Sequence, residues 1–219
     1  MLTLGQGPVF YWGPGDSRRW IWATTPCSVA APFPEHIALI LSPHPALPKV
    51  LIRTPHGDMV VVVDVENAPV SAGNFLAYVD GGLLDGTTIH RIVANHNQPD
   101  TVPAKIEVIQ FGHLMQNDAY PTPRPYIAHE PTSKTGLHHR DGTLSMARMA
   151  TGTASSGFFI CVGDQPELDE GGKRHPDGQG FAAFGQLVEG LDVLRALHAK
   201  AEATDTLTHP IPLLELRRV

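Results

Sequence analysis

No run of 18 apolar residues occurs anywhere in the chain, so neither a transmembrane helix nor a membrane partner is expected. Charge is also scarce, at 17% of residues, and the 16 Lys+Arg are scattered among 22 Asp+Glu for a net −6. A nucleic-acid binder usually gathers a basic face, and with none visible that partner is set aside. Hydrophobic residues at 42% exclude a disordered polyelectrolyte. Cysteine is limited to Cys27 and Cys161, too few for a disulfide framework, and neither stands in a zinc-ligand spacing. No metal and no cofactor is expected. Cys161, inside Phe158-Phe159-Ile160-Cys161-Val162, reads as a buried thiol. Glycine and proline, in contrast, are plentiful at 21 and 20 of 219 residues, which suits short strands joined by turns.

Residues 1–48 differ from the rest. They hold all three tryptophans, Trp12, Trp20 and Trp22, with many prolines and no periodicity of useful length. Arg18-Arg19 precede Trp20-Ile21-Trp22-Ala23, but the apolar stretch breaks at Thr24-Thr25-Pro26, too soon for an export signal. This segment is expected to be a poorly ordered extension, joined through Ser42-Pro43-His44-Pro45-Ala46-Leu47-Pro48 to a domain over residues 49–219. The cytoplasm is the favoured compartment, with the periplasm as the alternative.

From Lys49 onward the pattern sharpens. β-branched runs on either side of Thr54-Pro55-His56-Gly57-Asp58 predict a hairpin. Pro69 opens a helix whose apolar residues Ala72, Phe75, Leu76 and Val79 share one face, and Gly81 stops it. A second amphipathic helix is predicted from about Leu191 to Ala201. Short strands are predicted over 88–93, 105–111, 142–146, 158–162, 184–188 and 213–218. With the hairpin these make eight strands and two helices. The expected fold is therefore mainly all-β, a closed eight-stranded antiparallel barrel capped by two α-helices.

Five segments occur in order: Ala68-Pro69 with Asn74-Phe75, Gly86-Thr87-Thr88-Ile89-His90-Arg91-Ile92-Val93, Glu107-Val108-Ile109-Gln110-Phe111-Gly112, Gly142-Thr143-Leu144-Ser145-Met146-Ala147-Arg148 running on to Gly157-Phe158-Phe159-Ile160-Cys161, and Phe184-Gly185-Gln186-Leu187-Val188-Glu189-Gly190. Together they resemble the cyclophilin family of peptidyl-prolyl cis-trans isomerases, and the resemblance spans Lys49 to Val219. It implies a barrel with two capping helices and proline-containing peptides or unfolded protein clients as partners, acted on by a monomer. By resemblance Arg91 is the catalytic guanidinium, Gln110 holds the substrate carbonyl and orients the arginine, and Phe159 is the pocket aromatic. Val108 and Leu168 would form further apolar wall, and the backbones of Ala147 and Arg148 would pair with an extended peptide. On residue type alone, Arg91 reads as a solvated strand charge and Phe159 as core.

The chemistry explains why such residues suffice. Rotation about a peptide bond meets a barrier of about 18–20 kcal/mol. A guanidinium can donate to the amide nitrogen once twisting restores its lone pair. Several pocket positions depart from the better-known members: Glu107, Glu167, Gly157 and Phe181 stand where those carry Phe, Trp, Gln and His. Glu107 either pairs with Arg91 or points to solvent. The competing function is a catalytically weak proline-peptide-binding or chaperone module on the same barrel. Adjacent His138 and His139 are expected to diverge, and the acidic loop around Asp164, Glu167, Asp169, Glu170 and Asp177 reads as solvated rather than calcium-binding.

Overall fold

The computed structural model describes residues 46–113 and 122–219. The extension expected over residues 1–48, with its tryptophans and Cys27, lies almost wholly outside the described residues.

Strands β1 (Lys49–Thr54) and β2 (Gly57–Val63) form the predicted hairpin, in register from Lys49↔Val62 to Thr54↔Gly57. Its loop is only Pro55-His56. The Thr54 hydroxyl donates to the Gly57 carbonyl (2.9 Å) and accepts from the His56 N–H (3.1 Å). Helix α1 (Pro69–Asp80) follows, then β3 (Thr88–Val93), β4 (Val108–Gly112), a single helical turn α2 (Thr132–Thr135), β5 (Thr143–Met146), β6 (Gly157–Cys161), β7 (Ala183–Glu189), helix α3 (Leu191–His198), β8 (Thr206–Pro212) and β9 (Glu215–Arg218).

The nine strands of the described residues belong to one antiparallel sheet, in the order β8-β3-β4-β6-β5-β7-β2-β1-β9. That is one strand more than the eight expected. The extra one is β8, which escaped the sequence reading because His209, Pro210 and Pro212 interrupt its β-branched pattern. Proline has no N–H for a ladder, so it belongs on strands with an unpaired side. Consistent with this, β8 pairs only with β3, at one end of the order. The last strand, predicted over 213–218, is confined to 215–218 and pairs with β1 at the other end. Between the two, the Leu213 N–H donates to Thr87 O and the Leu214 N–H to Arg53 O. One stretch of chain thus serves both edges.

The sheet curls around a main core that includes Ile52, Val61, Ile89, Ile109, Leu144, Ile160 and Phe184. α1 adds Ala72, Phe75, Leu76 and Val79, the face predicted from its spacing, and Phe75 meets Phe158 edge-on at 5.0 Å. α3 is shorter than predicted and buries Leu194 and Leu197.

The start of α1 has no Ser, Thr, Asp or Asn at its cap, which is Ala68. Glu130, buried and some 60 residues away, supplies the missing acceptors: its carboxylate takes the Val70 N–H (3.1 Å), the Ser71 N–H (2.7 Å) and the Ser71 hydroxyl (2.7 Å). Glu130→Ala should cost about 1–3 kcal/mol of folding free energy in urea titration, because it strands three donors. An unchanged midpoint would show that the cap is dispensable.

Candidate active site

Alternation along four neighbouring strands creates a second apolar face. On β4, Ile109 and Phe111 enter the main core, while Val108 and Gln110 point the other way. On β6, Phe158 and Ile160 are core, and Phe159 and Cys161 are not. Every residue of both strands is buried, as expected for strands covered on two sides. The outer cluster comprises Val93, Ile106, Val108, Ala147, Phe159, Cys161 and Leu168, with Phe181 partly buried against it. The loop after β6 provides its cover through Leu168 and Phe181. Burial pushes the Cys161 thiol well above its ordinary range, so it packs as a small apolar group.

Arg91 is aimed at this face by an irregularity in β3. Ile89 pairs with Phe111, yet Arg91 pairs with Gln110, leaving His90 as the extra residue of a bulge. A regular ladder would set His90 opposite Gln110. His90 is instead buried, with Nδ1 near the Thr88 carbonyl (3.3 Å); burial, and next the neighbouring Arg91 charge, push its pKa down. The Arg91 guanidinium donates from Nε (2.9 Å) and Nη2 (2.6 Å) to Asp205 Oδ2 and from Nη1 to Gln110 Oε1 (3.1 Å). A guanidinium carries five N–H donors, so two remain open, on a side chain 30% exposed. Asp205 had no signal in the sequence, standing 114 residues away in Thr204-Asp205-Thr206. Among the described residues, no ion pair joins Arg91 to Glu107. The Glu107 N–H instead donates to Gln165 Oε1 (3.2 Å).

Behind Phe159 lies a chain of polar groups. His139 stacks on the Phe159 ring at 6.0 Å, with its Nδ1 2.6 Å from Asp169 Oδ1 and its Nε2 2.9 Å from Ser145 Oγ. His138, expected to diverge from His139, reaches the other oxygen of the same carboxylate (Nδ1 to Oδ2, 2.8 Å). The expectation assumed a strand, and residues 137–140 are not one. Burial pushes the His139 pKa down despite Asp169. Burial also raises the Asp169 pKa, but hydrogen bonds from His139 and His138 outweigh it and hold the carboxyl at about 2.

Arg148 is buried and fully engaged: it donates from Nη1 and Nη2 to Asp177 (2.7 and 2.9 Å) and from Nε to Gly180 O (2.8 Å), and its guanidinium lies 5.1 Å from the Phe181 ring centre. Its hydrogen bonds hold the Asp177 carboxyl far below the usual range. The Ala147 N–H donates to Gly157 O (2.9 Å). Beside Ala147 a cavity of about 240 Å³ is lined by Tyr126, Met149, Thr153, Ser155 and Gly157. The structure thus gathers Val108, Ala147, Phe159 and Leu168 in one cluster and sets Arg91 and Gln110 at hydrogen-bonding distance on the same face.

A curled antiparallel sheet with a guanidinium beside an outward apolar patch defines a class of fold that comparison with known proteins identifies. Residues 49–218 match the family model described as cyclophilin type peptidyl-prolyl cis-trans isomerase/CLD. Peptidyl-prolyl cis-trans isomerase A of Dickeya dadantii is 32% identical over 145 residues, covering 66% of this chain and 67% of that protein. Peptidyl-prolyl cis-trans isomerase B of Escherichia coli is 29% identical over 164 residues, covering 74% and 92%. The crystal structure of a Cryptosporidium parvum cyclophilin-type isomerase superposes with a TM-score of 0.62 at 22% identity, covering 78% of this chain and 97% of that one. The chain belongs to the cyclophilin-type peptidyl-prolyl cis-trans isomerase family.

The polar chain behind Phe159 makes stability depend on acid. The Asp169 carboxyl lies below its unfolded value of 3.8, so its contribution is present above pH 4 and lost as pH falls towards 2. That contribution amounts to at most about 2 kcal/mol. Asp169→Asn should lower stability at neutral pH and flatten the loss between pH 4 and 2 in denaturant titrations. An unaltered acid slope would remove Asp169 from the account.

Proposed function

We propose that this protein accelerates rotation about X–Pro bonds in peptides and unfolded chains, without covalent chemistry and without a cofactor. On this reading Arg91 donates a hydrogen bond to the proline nitrogen as the amide twists. Gln110 holds the substrate carbonyl and the arginine together, and Phe159, with Val108 and Leu168, carries the pyrrolidine ring. The observation that supports it best is the pair of open N–H groups on a guanidinium clamped by Asp205 and Gln110 at the margin of an apolar cluster. Uncatalysed prolyl rotation takes tens of seconds. Raising it to a typical turnover rate requires about 3–4 kcal/mol, within the reach of one or two oriented hydrogen bonds in a dry site. The backbone of Ala147 and Arg148 meets the peptide through groups other than the Ala147 N–H, which is already in use.

The same reading takes the curled sheet to close into a barrel through residues 206–218, with 49–219 as the working domain, 1–48 as an extension, and a monomer as the active form. Nucleic acid and membrane have no part in it. A second reading, a binding module of low activity, draws on the tight cover of the apolar wall: Phe159 is 4% exposed, Val108 2% and Leu168 1%, and Phe181 stands edge-on to Phe159 at 5.6 Å.

A protease-coupled assay on a proline tetrapeptide separates the two. The wild type should exceed the uncatalysed rate, and Arg91→Ala should lower kcat/KM by about 100-fold. Arg91→Lys should also be impaired, because an ammonium cannot span Asp205 and Gln110 at once. Wild type and Arg91→Ala both running at the uncatalysed rate would leave only the binding module.

A further inference from the structure

One charge beside this site has no carboxylate partner among the described residues. Arg174, in the loop between Leu168 and Phe181, is partly buried, and its Nη1 donates to Gln98 Oε1 (2.8 Å) and to Ala104 O (3.0 Å). Gln98 is a rigid anchor. Its side chain is buried, its Nε2 donates to Ala94 O (3.0 Å) and Ile106 O (2.8 Å), and its Oε1 also accepts the Ile106 N–H (3.2 Å). Ala94 follows Val93, and Val93 and Ile106 both belong to the apolar cluster that contains Phe159. Arg174 is therefore fastened, through Gln98 and Ala104 in the segment that follows β3, to the wall of the candidate site.

Both hydrogens of Nη1 are spent on these carbonyl oxygens. The Nε–H and the Nη2–H groups, which together form the edge that grips a carboxylate with two parallel bonds, have no partner among the described residues. No carboxylate pairs with Arg174 there either. Glu167, earlier in the same loop, accepts the Arg174 N–H on its backbone carbonyl (3.1 Å) and spends its side chain on the Lys173 N–H (2.8 Å).

Burial, and then repulsion from Arg91, hold the Arg174 guanidinium below its ordinary pKa, and attraction to Asp205 offsets part of this. Two guanidiniums thus lie within electrostatic reach of each other and share one carboxylate, which is already committed to Arg91. Partly buried charges of one sign are costly unless an opposite charge arrives. Elsewhere the molecule satisfies its buried arginine, Arg148, with Asp177. Arg174 has no such partner among the described residues.

We propose that the open Nε/Nη2 edge of Arg174, anchored on the wall of the same site, is a subsite for a substrate carboxylate, making the protein selective for prolyl peptides with an aspartate or glutamate near the proline. This rests on the isomerase site read above and specifies the class of substrate that the site takes. Arg174 is on this account a specificity-determining residue. It grips the side chain and leaves the twisting amide to Arg91.

The test uses eight proline peptides. A glutamate is walked from two residues before to two residues after the proline, and each peptide is matched by its glutamine twin. NMR titration of the full chain gives affinity, and cis–trans exchange in the same samples gives turnover. At least one glutamate peptide should bind about five-fold more tightly than its twin, and the advantage should shrink at high salt. Arg174→Gln should bring that ratio to about one, and Arg174→Lys should leave it intermediate, because a point charge lacks the two-bond edge. Glutamate preference without exchange would overturn the isomerase reading and support the carboxylate subsite. Exchange with all ratios within about two-fold of one, or a preference untouched by Arg174→Gln, would overturn the subsite alone. Failure of every peptide to bind would overturn both.

Discussion

A single extra residue in β3 sets the geometry on which the candidate site depends. Without the bulge at His90, a histidine would face Gln110, and the arginine would be turned toward the main core, where its charge has no partner. With it, Arg91 lies across from Gln110, and the same irregularity shifts β8 so that Thr206 pairs with Arg91 and brings Asp205 under the guanidinium. The Ile92 N–H fixes the arrangement by donating to Asp205 O (2.8 Å). The ion pair does not disable the arginine. It engages one side of the fork and fixes the direction of the rest, which the proposed role of Arg91 at a transition state would require.

The apolar partner of that fork exists because β4 and β6 bury both faces. A sheet wrapped around one core usually leaves its outer surface wet. Here Phe159, Val108 and Cys161 are kept dry by the segment from Pro166 to Phe181, and that segment is tied down at several points: Asp169 to His138 and His139, Arg148 to Asp177 and Gly180, and Arg174 to Gln98. At Gly180 a β-carbon would run into the Asp169 and Glu170 backbone, so the loop is packed against itself. The price of this dryness is a wall with little open area.

Much of the fold was legible because strands and helices announce themselves by period. The hairpin, the helix from Pro69 and the alternation that separates Phe158 from Phe159 all follow from local pattern. β8 was not legible, since its prolines break the period and only its edge position makes them tolerable. Arg91, Gln110 and Phe159 stand out as candidates through ordered segments. Asp205, Glu130 and Gln98 could not, because each acts on residues brought close only by the folded chain. The polar groups behind Phe159 are hidden for a different reason: adjacent histidines diverge on a strand, and residues 137–140 do not form one.

On the proposed mechanism Arg91 meets the proline nitrogen while the ring rests on Phe159. A high-resolution structure of the protein with a bound proline tetrapeptide would show whether it does. One of the two open Arg91 N–H groups should lie within hydrogen-bonding distance of the prolyl amide and the pyrrolidine ring in van der Waals contact with Phe159, with the Asp205 pairing intact. A peptide seated away from Arg91, or a guanidinium held entirely by Asp205 and Gln110 with no approach to the amide, would contradict it.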